Sequence, residues 1–236
     1  MIRAWLLKLT VRALSLAAFL HSSGCALLSK AEPMSPRYFS PALELRPSSS
    51  PSAAAGLDLR LGQIESATHL EERIAYRVSD TELGYYEDRR WTEPPEQFVR
   101  RALESELFET RGVNRVVSGA CPTLDIELSS FEELRERPPR VRLALSFSLR
   151  DDRRALLERT LVVEKPIAAG TSAKADTKSD DDEPDTAGAL AVAMSSALGQ
   201  AVAEVADQVI AALRENVSAS ATSDQPVPRA ASPGSE

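Results

Sequence analysis

The chain has 236 residues, 43% of them hydrophobic, with 35 acidic against 28 basic residues, a formal net charge of -7 and two cysteines. That size suits one modest domain with a packed core. The acidic balance argues against a nucleic-acid binder, which would need clustered Lys and Arg to meet phosphates.

Residues 1–24 read as a secretory signal. Arg3, Lys8 and Arg12 precede a short apolar run, Ala13 to Leu20, and then Ser22-Ser23-Gly24-Cys25. A basic start, a short apolar middle and small residues before the break make a cleavable signal. The run is too short for a bilayer crossing, which takes roughly 20 residues. Cys25 after small residues resembles the lipobox of bacterial lipoproteins, with Ser22 where Leu is usual. Cys25 is therefore the expected acyl attachment site; the alternative is an ordinary signal with an incidental thiol. Removing 1–24 takes away Arg3, Lys8 and Arg12 and no acid, leaving 25 basic against 35 acidic residues. With Cys25 acylated, Cys121 is alone, so no intramolecular disulfide is available. After the signal, no apolar run is read as long enough to span a membrane.

Residues 25–56 read as the acylated Cys and a tether. Arg46 to Ala55 is Pro-, Ser- and Ala-rich with little to bury, although Tyr38-Phe39 and Leu43-Glu44-Leu45 could form a short leading strand. The domain is expected over 57–215. Leu57, Leu59 and Leu61 alternate with polar residues, as do Ile74, Tyr76 and Val78, and a turn at Ser79-Asp80-Thr81 leads to Leu83-Gly84-Tyr85-Tyr86. A helix is predicted from Pro95 to Thr110, with Phe98, Val99, Ala102, Leu103 and Leu107 on one face and Gly112 as its stop. Leu124, Ile126 and Leu128 form another strand. Val141 to Leu149 and Leu157 to Val163 read as an antiparallel hairpin around Asp151-Asp152-Arg153-Arg154. The segment from about 168 to 185, with Asp180-Asp181-Asp182-Glu183, lacks apolar periodicity and is expected to be disordered, as is the tail 216–236. Between them a long helix is predicted from Thr186 to Glu215, whose stripe Leu198, Val202, Val205, Val209 and Ala212 is flanked by Ala201 and Ala206. The expected fold is α+β, a single domain with a mixed, largely antiparallel sheet and two main helices packed on one face.

This order of elements resembles the ABC-type transport auxiliary lipoprotein family. The resemblance rests on Arg73-Ile74-Ala75-Tyr76-Arg77, then Gly84-Tyr85-Tyr86, then Trp91-Thr92-Glu93-Pro94 and the helix beginning Glu96-Gln97-Phe98. It continues through Leu128-Ser129-Ser130-Phe131, a long hairpin and a small-residue C-terminal helix, covering about 36–215. The resemblance implies a non-enzymatic lipoprotein facing the periplasm, partner of an ABC permease and ATPase and of a mammalian-cell-entry (MCE) domain protein. It implies transport of phospholipid or other apolar compounds between the two membranes. Ala26, where Asp would mark inner-membrane retention, favours the outer membrane. An envelope assembly lipoprotein unrelated to an ABC transporter is the alternative, and homo-oligomerisation stays open. A lipid carrier with its own cavity fits less well, because the strand alternation suggests one buried sheet face.

The residues offer little chemistry. His69, the only histidine beyond residue 24, sits in Thr68-His69-Leu70-Glu71-Glu72 without a Gly-x-Ser-x-Gly elbow, and reads as an exposed loop residue. No Walker-type phosphate loop is present. The Asp180–Glu183 run lacks the spacing of a calcium loop. Cys121, before Pro122, reads as a semi-buried inert thiol. No catalytic, cofactor or metal residue is assigned. Tyr85, Tyr86 and Trp91 are the candidates for a partner interface. For Trp91 the competing reading is a core anchor beneath the first helix.

Overall fold

The computed structural model of the chain describes residues 35–42, 54, 56–168 and 186–223. Cys25, the signal, Leu43 to Leu45 and the acidic run at 180–183 lie outside the described residues. Among those described, eight strands and two helices follow one another. The first half holds β1 (Arg37–Phe39), β2 (Asp58–Ser66), β3 (Arg73–Ser79) and β4 (Glu82–Trp91), then α1 (Pro95–Glu104) with a wider π-helical turn at Ser105–Thr110. The second half holds β5 (Asn114–Arg115), β6 (Thr123–Leu134), β7 (Arg140–Arg150), β8 (Ala155–Pro166) and α2 (Thr186–Ser223). The α+β, single-domain reading with a mixed sheet holds.

β6 is central. One edge pairs antiparallel with β7 along its whole length, and β7 pairs antiparallel with β8. The other edge takes two strands in series. β2 runs parallel beside residues 123–128, and β3 runs parallel beside 132–134. Residues 67–72 leave the sheet between them, held by Ala67 N–H donating to Leu128 O at 2.8 Å. β4 folds back on β3, β1 joins β4 in parallel, and β5 joins β2. The long pairings are antiparallel and the parallel ones are short.

Local chemistry explains the shapes. β6 contains one extra residue at Ser129, because pairing jumps from Leu128–Leu145 to Ser130–Ala144. This bulge resets the alternation. Leu124, Ile126 and Leu128 are buried before it, and Phe131 is buried after it. α1 starts with Pro95 at its first position, where the missing N–H costs nothing. Its last turn widens, with Arg111 N–H reaching Glu106 O at 2.8 Å, and Gly112 takes the left-handed backbone (φ 67°) that ends it.

One core joins the layers. Phe98, Val99 and Leu103 of α1 and Leu198, Val202, Val205 and Val209 of α2 pack with Leu59, Leu124, Phe131, Leu143 and Phe147 of the sheet. Ala201 and Ala206 are fully buried, so small residues let α2 lie close to its neighbours.

Five differences from the sequence reading have physical causes. The leading strand expected at Tyr38-Phe39 is present as β1, and its pairing in the sheet moves the start of the fold upstream of the expected residue 57. β5 has two residues, too few for a periodicity signal. Val78 was placed on a buried face but is exposed, since β3 pairs β6 only through Arg77. α2 continues to Ser223, beyond Glu215. Finally, Ala187–Ala219 is long and apolar enough to cross a membrane by length and composition, contrary to the sequence reading. Its buried residues are committed to the domain core.

Two substitutions in α2 separate packing from propensity. Ala201→Leu should cost about 1–3 kcal/mol by overpacking. Gly199→Ala, which meets nothing within 4 Å, should stabilise by up to about 1 kcal/mol. Urea unfolding midpoints of the two variants should move in opposite directions.

Candidate functional site

The β3–β4 hairpin carries the residues that the sequence singles out, and the structure sends them three ways. Trp91 is 1% exposed and packs edge-on against Phe131 and Phe98, at ring separations of 5.2 and 6.1 Å. Its ring is therefore a core anchor, and it is not presented to a partner. The cause is position: Trp91 ends β4 just before the chain turns over the sheet into α1. Tyr85 and Tyr86 are both half-buried, but adjacent strand residues face opposite ways. They do not form one site.

Tyr86 belongs to a stacked group of aromatic and guanidinium planes. Tyr76 meets Tyr86 edge-on at 5.2 Å. The Arg135 guanidinium lies 3.4 Å from the Tyr76 ring centre and 4.8 Å from that of Tyr86, and Arg89 lies 4.4 Å from Tyr86. Such contacts are worth roughly 0.5–2 kcal/mol each. Tyr76 lies over Gly84, its register partner, where an added Cβ would come within 2.5 Å of the ring. Glycine is therefore required there for the tyrosine to lie flat. The Tyr86 hydroxyl donates to Glu133. Burial and that bond push the Tyr86 phenol above its ordinary pKa of 10.0.

Next to this group a buried carboxylate is paired with a partly exposed arginine. Glu132 is 1% exposed and accepts two bonds from Arg77, at 2.8 and 3.1 Å. Among the described residues it is the one buried charged side chain. Its hydrogen bond raises the Arg77 pKa above its usual value. Arg135 N–H donates to Arg77 O at 2.8 Å, so the pair also fixes the chain that carries Arg135.

On the other face, Tyr85 donates to His69 O at 3.0 Å, and the Arg73 guanidinium lies 4.9 Å from its ring centre. His69 is not the exposed loop residue expected. It is half-buried, and its Nε2 is buried without a hydrogen-bond partner. Cys121 is a free, half-buried thiol. Among the described residues no group of three or more His, Cys, Asp or Glu could hold a metal ion. The sequence missed Tyr76, Arg89, Arg135 and the Arg77–Glu132 pair. The adjacent Tyr76-Arg77 of β3 is the local trace of them.

Residues 42–210 match the model of the ABC-type transport auxiliary lipoprotein component. The chain belongs to that family. This family member is thus a lipoprotein component of an ABC-type transport system, associated with the cell envelope. Among solved structures, a Xanthomonas campestris protein of the DUF330 family is similar at 18% identity. It covers 77% of this chain and 99% of its own, with a TM-score of 0.62. The crystal structure of an uncharacterized protein is similar at 15% identity, covering 74% and 99%, with a TM-score of 0.54. Both likenesses concern the fold. No curated protein matches the chain. The Trp91-to-α1 step and the Tyr85-Tyr86 pair of this family member lie inside the matched residues.

Two predictions concern the site. Arg77→Ala should destabilise by about 3–5 kcal/mol, because it leaves Glu132 buried and unpaired. The double replacement Arg77→Met, Glu132→Met should regain most of that loss in chemical denaturation. Tyr86, whose pKa is raised on folding, contributes stability that is fully present below pH 10.0 and is lost as pH rises through its folded value. Ultraviolet titration should show a late phenolate step that Tyr86→Phe removes.

Proposed function

We propose that the protein is a non-enzymatic lipoprotein of the outer membrane, acylated at Cys25, that docks an MCE-domain protein of an ABC transport system. Phospholipid or another apolar compound would be the cargo of the assembled system. The observation that carries this reading is the family match over residues 42–210, which spans nearly the whole folded region. The structure supplies a surface suited to docking. Tyr76, Tyr86, Arg89 and Arg135 form a rigid group of rings and guanidiniums at the sheet end, and Tyr and Arg are the residues favoured at binding hot spots. A carrier with an enclosed cavity is less well supported. The single apolar sheet face is filled by α1 and α2.

The test combines anchor and docking. Cys25→Ser should abolish acyl labelling and the shift caused by signal-peptidase II inhibition, whereas unchanged labelling would refute the anchor. With the anchor intact, Tyr86→Ala or Arg135→Glu should weaken co-purification of the MCE-domain protein by about tenfold or more. Recovery of assembly-machine components alone, with no transporter subunit, would overturn the transport reading.

A further inference from the structure

The margins of the sheet are unequal. Among the described residues β1 and β5 are outer strands of three and two residues, whereas β8 has 12. β7 pairs with one side of β8 from Leu157 to Pro166 without a break, and no described strand pairs with the other side. Long edges in native proteins are guarded by bulges, prolines or charges. β8 has no bulge over that stretch, and its proline stands at the very end. Its charges form two doublets, Glu158-Arg159 and Glu164-Lys165, around the uncharged Thr160-Leu161-Val162-Val163. Val162 is 54% exposed.

Those doublets decide what can cover the edge. Side chains directly opposed on paired strands lie on the same side of the sheet, where like charges repel and opposite charges attract. A two-fold axis joining two copies of β8 in one sheet stands normal to that sheet. It keeps each side chain on its own side, so every symmetric register is centred on a residue. Centred on Leu161, Glu158 meets Glu164 of the second copy. Centred on Val162, Arg159 meets Lys165. Centred on Thr160 or Val163, charged side chains lie against Leu161 and Val162. Each register that overlaps the apolar centre therefore disfavours a second copy of this chain. A strand from a different protein is not bound by that symmetry.

We propose that the outer edge of β8 takes an extended segment of another protein, running antiparallel to it. That segment is uncharged opposite Thr160 to Val163, with acids opposite Arg159 and Lys165 and bases opposite Glu158 and Glu164. The β8 backbone supplies the hydrogen bonds, and the doublets select the register. Glu164 is already held by Arg142 at 2.8 Å. Selection therefore falls on Glu158, Arg159 and Lys165, which enter no ion pair among the described residues. Val162 gains an apolar neighbour when the edge is covered. This inference stands on β8 alone, and it holds or fails independently of the docking surface at Tyr86 and of acylation at Cys25.

Two synthetic peptides of identical composition test it, Glu-Lys-Thr-Val-Val-Thr-Glu-Lys and Lys-Glu-Thr-Val-Val-Thr-Lys-Glu. In fluorescence anisotropy the full chain should bind the first saturably and at least about tenfold more tightly than the second. Hydrogen exchange at residues 157–164 should slow with the first peptide and not with the second. Val162→Lys, at an exposed position, should weaken the first peptide by about tenfold without moving the urea midpoint. The pair Glu158→Lys, Arg159→Glu should shrink the preference between the peptides, a change that mere loosening of the fold would not produce. No binding, or equal binding of the two peptides, would overturn the proposal. So would tighter binding of the second peptide, whose charges match β8 only in a parallel register. Self-association of the unaltered chain that slows exchange at 157–164 would assign the edge to a second copy and overturn it as well.

Discussion

β6 is the strand on which the rest of the molecule depends. It is hydrogen-bonded on both edges, and one of those edges serves two strands in series. That arrangement sets the positions of both ends of the domain. The first half of β6 carries β2 and the helical core, while the second half carries the β3–β4 hairpin and its aromatic group. The bulge at Ser129 stands at the junction and lets Phe131 join Leu124, Ile126 and Leu128 on the core side. Without it, Phe131 would leave the core and Glu132 would enter the wrong face.

Where a pattern is local and repeated, the sequence is easy to read. Val141 to Leu149 and the stripe from Leu198 to Ala212 state their periods over many residues, and both are buried as those periods require. The signals fail where one residue decides. An inserted Ser129 has the composition of any strand residue. Two-residue β5 has no period at all. Glu132 reads as a solvent-facing acid, because its partner Arg77 is 55 residues away in sequence. Trp91 was legible as an aromatic of consequence, but its two readings differ only in what lies above it. Tyr85 and Tyr86 were read as a pair because they are neighbours in sequence, which on a strand is what separates them.

The Arg77–Glu132 pair and the edge-on rings of Tyr76 and Tyr86 are parts of one arrangement. A buried ion pair is weak evidence for stability, since desolvation opposes the attraction. Its value here is positional: it holds β3 against β6 where the two strands share only three register pairs. Arg135 then follows directly from the end of β6 and reaches both rings. A surface assembled from three strands in this way is rigid without being part of the apolar core.

β1 has a mechanical consequence. It runs parallel to β4 over Arg37–Phe39, and Thr92 N–H adds a further bond to Phe39 O. A pull directed along the axis of β1 would load its pairing with β4 lengthwise. Its hydrogen bonds are then loaded together, in shear, and must fail together, whereas a strand pulled sideways would unzip one bond at a time. Three residues placed in this direction resist a tug better than their number suggests, and they pass the load to the strand that ends in Trp91.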